Sequence, residues 1–343
     1  MCIRDSPFNK PLSYAKSPGV PESEYGLLTP REVSLRVDGW HLTAYYNPVL
    51  GRWVFATKYA LHNMYYKKGK LVVEEFNNIV NPYVSVADTI AENEGLYSAL
   101  DRYRGWTFTF VLEGPEPAIT HPPPPIGVDV EKFKLHLLMS RSPEGRLYTW
   151  SETQSLLNYR TPLLLEPKPL RELYKEVKQR LDVRSYFAYV DTGDPENPLI
   201  VELESDYYAE AMNTKYLNSA KSAALLISEG VAHELTKLLD KVVAERVREL
   251  EKAYYDLESV LANALRAGLV KEASEALLRA LRDLGVKGLQ VTEVTKNLGE
   301  GNIKRVLRKV LASLLEDKSL LADETLELVH RLVNALRELQ HSL

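Results

Sequence analysis

The strongest constraint on how this chain folds is where its prolines stop. The 343 residues contain 19 prolines, and none lies beyond Pro198. Proline removes a backbone donor and clashes with the preceding turn, so a long stretch without it is free to run as helix. From about Tyr208 onward, glycine is the breaker that remains. Over the same stretch apolar residues recur at helical spacing: Leu235, Leu238, Leu239, Val242 and Val243, then Leu277, Leu278 and Leu281, then Val306, Leu307, Val310, Leu311 and Leu314. This spacing predicts about five amphipathic helices packed as a bundle, an all-α domain over 211–343. Basic and acidic residues nearly balance there, which predicts solvated helix faces rather than a nucleic-acid tail. The cluster Lys304, Arg305, Arg308 and Lys309 then reads as a solvated helix flank.

Residues 7–210 have the opposite character. Val33 to Tyr46 and Arg52 to Lys58 are β-prone runs around the turn "NPVLG", so they predict a hairpin. A third strand is expected at 70–75, and 85–103 turns helical, with Ala87, Ile90, Leu96 and Leu100 on one side. "WTFTFVLE" (106–113) reads as a strand, and "GPEPAITHPPPPIG" after it as a stiff loop. Strands follow at 132–140 and 146–150, a helix at 169–181, and a strand pair at 185–191 and 199–204. Antiparallel strands with a few inserted helices predict an α+β domain.

Composition narrows the function classes. No apolar run approaches the roughly 20 residues of a membrane span, and no secretory signal pattern is visible. The formal net charge of −4 gives no bulk pull toward nucleic acid, so such binding would need a local patch. Cys2 is the single cysteine, and seven scattered histidines lack zinc-site spacing. A reducing, cytoplasmic setting without a structural metal is expected. Residues 1–6, "MCIRDS", read as translated sequencing adapter and are set apart from the fold, which removes Cys2 from the native chain. His41 and His136, both on strands, read as structural histidines. The tyrosine pairs at 45–46, 65–66, 207–208 and 254–255 read as amphipathic packing.

Five segments, in order, carry a resemblance. They are "PFNKPLSYAKSPGVPE", "LRVDGWHLTAYYNPVLGRWVFATK", "WTFTFVLEGPEPAI", "VRSYFAYVD" and "LIVELESDYYAEAMNTKY". Together they resemble the adenylyltransferase domain of phage-type ATP-dependent RNA ligases, within the covalent nucleotidyltransferase superfamily. The second segment resembles motif I, K-x-D-G-S, and the third motif III. The fourth and fifth resemble motif IV, E-G-x-V, and motif V, K-x-K. The resemblance implies a nucleotidyltransferase domain with antiparallel sheets over 7–210, followed by a helical domain. In active relatives it implies ATP, Mg²⁺ and an RNA or single-stranded nucleic-acid substrate.

The residues that would do the chemistry are the ones exchanged. Arg36 stands where the family has its nucleophilic lysine. With a pKa above about 12 a guanidinium offers no free electron pair at neutral pH. Asp38 and Gly39 match motif I, but Trp40 replaces a small serine, and its indole is expected to fill the pocket. Val111 takes the place of the sugar-contacting glutamate. Arg184 takes the place of the motif IV glutamate, where a guanidinium cannot ligate Mg²⁺. Glu202 and Glu204 replace the two lysines that hold the triphosphate; at i and i+2 of a strand they share a face opposite Val201 and Leu203. Lys10, Thr57 and Lys58 match family positions, whereas Lys16 stands where the family has glutamate.

The exchanges predict an internal ion-pair network, Arg36 and Arg184 against Glu202 and Glu204. The reading that follows is an RNA-ligase-like protein of nucleic-acid end joining or repair whose adenylylation site is inactivated, a pseudoenzyme without confident catalytic residues. One alternative is an active ATP-dependent ligase of RNA or single-stranded DNA that uses another nucleophile, with Lys10 or Lys58 nearest. The other is a non-enzymatic adaptor that binds a protein partner through its helical domain.

Overall fold

The computed structural model describes residues 10–57, 64–67, 70–73, 82–115, 129–286 and 291–341. The chain divides into two compact units, Met1–Ser205 and Asp206–Leu343. The first is an α+β unit with antiparallel sheets and the second is helical.

The strands of the first unit are β1 (Leu12–Ser13), β2 (Glu32–Leu35), β3 (Trp40–Asn47), β4 (Arg52–Ala56), β5 (Met64–Lys67), β6 (Lys70–Val73), β7 (Thr107–Glu113), β8 (Lys134–Arg141), β9 (Leu147–Tyr148), β10 (Leu164–Leu165), β11 (Ser185–Val190) and β12 (Leu199–Glu204). One sheet has the order β1-β12-β11-β2-β10 and the other β4-β3-β7-β8-β9, while β5 and β6 form a hairpin. Neighbours pair antiparallel except for the two-residue β1 on β12. The helices are α1 (Glu22–Tyr25), α2 (Pro82–Asn93), α3 (Leu96–Leu100), α4 (Trp150–Leu157) and α5 (Leu170–Val177).

Alternation along the strands builds three apolar layers. Leu42, Phe108, Phe110 and Leu112 of the second sheet pack with Val84, Ala87 and Ile90 of α2. Val33, Ala188, Val201 and Leu203 of the first sheet pack with Leu170, Leu173 and Val177 of α5. Between the sheets lie Val111, Leu138 and Met139 from one and Tyr189 and Ile200 from the other, with Trp150 of α4.

Four expectations change. The run from Val33 to Tyr46 is not one strand: β2 belongs to the first sheet and β3 to the second, and residues 36–39 cross between them. The helix expected over 85–103 is interrupted after Asn93 by Gly95, whose φ of 68° ends α2 before α3 begins. Trp150 does not close a strand but opens α4, with Thr149 as its cap. The hairpin partner β5 was not anticipated, and residues 74 and 75 of the expected third strand lie outside the described residues, as does the proline run.

The second unit contains α6 (Asp206–Leu217), α7 (Ala220–Ser228), α8 (Ala232–Thr236), α9 (Lys241–Arg266), α10 (Val270–Asp283), α11 (Val291–Gly299), α12 (Ile303–Leu314) and α13 (Asp323–His341). The spacing predicted fewer helices because glycine supplies breaks that periodicity does not register. Gly230 (φ 80°) separates α7 from α8, and Gly268 (φ 78°) separates α9 from α10. Asp240 starts α9 by accepting from Val242 N and Val243 N at 2.9 and 3.0 Å. One face of α9 then buries Val243, Val247, Leu250, Leu257 and Leu261. Among the described residues no helix is long and apolar enough to cross a membrane.

Candidate functional site

The site forms where the chain changes sheets. Arg36 N donates to Ser185 O at 3.0 Å, which holds the end of β2 against the start of β11. Four residues later Trp40 is in register with Leu112 of β7. Gly39 makes this crossing sterically feasible: a Cβ on it would lie 2.2 Å from Leu112 O. Residues 36–39 are therefore a bridge between the two sheets.

Strand β12 supplies the acids. Val201 and Leu203 are fully buried, so alternation turns Glu202 and Glu204 to the opposite face. Glu202 is in register with Phe187 of β11 and Ser13 of β1. Its carboxylate, only 12% exposed, accepts from the Arg36 guanidinium and from Ser185 Oγ at 2.8 Å. The Arg36 guanidinium also lies 5.6 Å from the centroid of the Phe187 ring. Arg184 Nη1 donates to Asp38 Oδ1 at 2.9 Å. Lys16 Nζ reaches Glu204 Oε2 at 3.2 Å. Three cations thus face three carboxylates, and the cluster is neutral by its own pairing.

The expected network is realised in part. Arg36 meets Glu202 as predicted, but Arg184 pairs with Asp38 rather than with Glu202 or Glu204, and Lys16 takes Glu204. Asp38 sits on the crossing segment, whose path no strand periodicity gives. Lys16 follows β1, a strand too short to show a pattern. Ser185 carries no sequence signal of its own; its proximity to Glu202 follows from the β11–β12 register, in which Ser185 lies opposite Glu204.

Trp40 corrects a second expectation. Its ring does not fill the space between the sheets. It stacks on Tyr83 of α2 at 4.1 Å and 13° and packs on Phe133. The reason is alternation: Trp40 is opposite Leu112, whose side chain belongs to the layer under α2. Its neighbour His41 points the other way, opposite Val111, which in turn pairs with His136. Val111 lies within the apolar layer between the sheets, with Val37 and Phe187 packed against that layer.

The face of the second sheet turned toward the first therefore carries His41, Val111 and His136 in one cross-strand row. His136 Nε2 and Glu113 Oε2 are 2.8 Å apart, and His136 Nδ1 is buried without a partner among the described residues. The His41 ring keeps solvent contact but is hemmed in by protein, which lowers its pKa to about 4. Both histidines serve the strand face, and among the described residues no group of three metal-ligating side chains occurs.

Of the other expected positions, Lys10 is exposed two residues before β1, and Thr57 follows the last residue of β4. Lys58 lies outside the described residues.

No protein-family model and no curated protein matches the chain. Solved structures with similarity include an archaeal ATP-dependent RNA ligase in two forms. Form 1 is 14% identical over 72% of this chain and 57% of that one, with a TM-score of 0.39. Form 2 is 13% identical over 86% of this chain and 82% of that one, with a TM-score of 0.41. A Naegleria gruberi RNA ligase mutant with ATP and Mn is 12% identical over 60% and 58%, with a TM-score of 0.41. Against form 1 and the Naegleria enzyme, this chain spans less than two thirds of the other's length.

Proposed function

We propose that the chain is an RNA-ligase-like protein whose cleft no longer performs self-adenylylation, a pseudo-ligase that serves nucleic-acid end joining or repair without forming the lysyl-adenylate. In this reading residues 7–210 are the nucleotidyltransferase-like domain and 211–343 the helical domain. The observation that carries it is the engagement of Arg36 by Glu202 and Ser185. A guanidinium stays protonated at every physiological pH. Held by a mostly buried carboxylate, it is a structural cation and not a nucleophile.

The group set does not fit ATP with Mg²⁺. A triphosphate needs cations free to meet it, and here Arg36, Arg184 and Lys16 each already hold a carboxylate. Glu202 and Glu204 would meet its charge with like charge, at a site where each lost charged hydrogen bond costs roughly 1.5–3 kcal/mol. Arg184 presents nitrogen donors where a metal wants oxygen. No step of catalysis is therefore routed through either group.

Incubation of the full chain with α-labelled ATP and Mg²⁺ or Mn²⁺ tests the reading. No acid-labile adenylate on the protein is expected. Arg36→Lys alone should remain unlabelled, because Glu202 and Glu204 still face the site. A covalent adenylate on any lysine of the unmodified protein would refute the proposal and restore the active-ligase alternative.

A further inference from the structure

Asp38 and Gly39 form the one Asp–Gly step in the chain, and no Asn–Gly step occurs. The pair lies on the crossing between the sheets, after β2 ends at Leu35 and before β3 begins at Trp40. In such a step the side-chain carboxyl carbon and the next peptide nitrogen are one bond short of a five-membered ring, so they react as neighbours. Glycine places no Cβ beside that nitrogen and leaves it open to the side chain. Among the described residues no acceptor takes the Gly39 N–H. Both residues are half-buried, so water reaches them.

Two features oppose closure of the ring. Arg184 Nη1 donates to Asp38 Oδ1 at 2.9 Å, and the Asp38 side chain is 15% exposed. Closure turns the carboxyl carbon onto the next amide, and a carboxylate fastened to a guanidinium resists that turn. The backbone is also fixed on either side: Arg36 N donates to Ser185 O, and Trp40 is in register with Leu112.

We infer that Asp38–Gly39 is a self-modifying step, a latent source of β-linked aspartate, and that Arg184 guards it. Gly39 N loses its proton and attacks the Asp38 side-chain carboxyl carbon. A C–N bond forms, one carboxyl oxygen leaves as water, and a succinimide results. Water then opens the ring at either carbonyl. Opening at the main-chain carbonyl leaves the chain running through Cβ and the former side-chain carbon of residue 38, with the carboxylate on Cα. One water leaves and one enters, so the product keeps the original mass, and no oxidant, reductant or cofactor takes part. The isomer has one more carbon in the main chain of the crossing and a carboxylate one carbon shorter. It disturbs both the Trp40–Leu112 register and the bond to Arg184. A chain so altered presents a β-linked aspartate, the substrate class of methyltransferases that repair such residues. The inference does not rest on the loss of adenylylation, since the step uses neither ATP nor the Arg36 side chain.

Prolonged warm incubation of the full chain in heavy-oxygen water, followed by proteolysis and mass spectrometry, tests it. Ring opening writes heavy oxygen into residue 38, and electron-transfer fragmentation identifies the β-linkage. Slow uptake is expected at residue 38 of the unmodified chain, and uptake faster by about tenfold or more in Arg184→Ala. Asp38→Glu, whose ring would need six members, should take up none at that position. Thr149→Ala weakens the same unit away from the crossing and should match the unmodified chain. Circular dichroism and the melting temperature confirm that each variant folds. Equal uptake in the unmodified chain and Arg184→Ala, absence of β-linked residue 38 from both, uptake in Asp38→Glu, or an acceleration by Thr149→Ala as large as that by Arg184→Ala would each overturn the inference.

Discussion

Glu202 decides the character of the Arg36 cluster at the level of single residues. Its carboxylate is nearly out of solvent and depends on Arg36 and Ser185 for its hydrogen bonds. Arg36→Ala should therefore cost about 1–3 kcal/mol, because it leaves a buried acceptor short of its charged partner. Adding Glu202→Ala should recover part of that loss, since no orphaned charge remains. Urea denaturation of the two single variants and the double variant gives the coupling, expected at about 0.5–3 kcal/mol; strict additivity would contradict the pairing. His41 adds a pH dependence. Its folded pKa of about 4 lies below the ordinary 6.5, so between those values the unfolded chain binds more protons than the folded one. Stability from this group is complete above pH 6.5 and declines as pH falls toward 4. The denaturation midpoint of His41→Asn should fall less across that window than that of the unmodified chain. Much of this cluster is legible in the sequence, since the alternation of Val201, Glu202, Leu203 and Glu204 fixes which acids share a face. The partner of Arg184 is not, because Asp38 lies on a crossing segment that has no period.

The same contrast appears among the elements. Thr149 and Glu152 carry a capping box: Glu152 N donates to Thr149 Oγ1 at 3.3 Å, and Thr149 N donates to Glu152 Oε2 at 2.9 Å. Thr149 Oγ1 also donates to Glu32 of β2 at 2.7 Å. The T-x-x-E spacing is a helix start visible in the sequence, but the preceding strand pattern, with Trp150 at its end, masks it. Thr149→Ala should lower stability by about 1–2 kcal/mol, whereas Thr149→Ser should retain most of it; equal losses in both would argue against the cap. The crossing between β2 and β3 is harder to read. Most of the residues from Val33 to Tyr46 suit a strand, and the signal for a break is the pair Asp38–Gly39, in which the role of the glycine depends on a strand far away in sequence. Gly39→Ala would bring a methyl against the β7 backbone. That forces β3 and β7 apart and should cost about 3 kcal/mol, seen as a lower melting temperature with an unchanged helical signal.

At the scale of the whole molecule, the distribution of proline separates two ways of building a core. The first unit buries strand residues on both faces of its sheets, and the second buries stripes of its helices, so each closes an apolar interior with its own residues. Leu203 is fully buried in the layer of the first sheet against α5, and Leu257 is fully buried on α9. The α+β and helical characters were both readable, because periods of two and of 3.6 leave different marks. The number of helices was not, because glycines at left-handed positions end helices without disturbing the apolar spacing around them. Two self-contained cores predict two cooperative transitions. Leu203→Ala and Leu257→Ala should each remove about 2–5 kcal/mol from the unit that holds the residue. In calorimetry each substitution should lower one transition and leave the other in place. Circular dichroism at 222 nm assigns them, since loss of the helical unit removes the larger part of the helical signal. One transition moved equally by both substitutions would mean that the two cores unfold together, with a free energy shared across the whole chain.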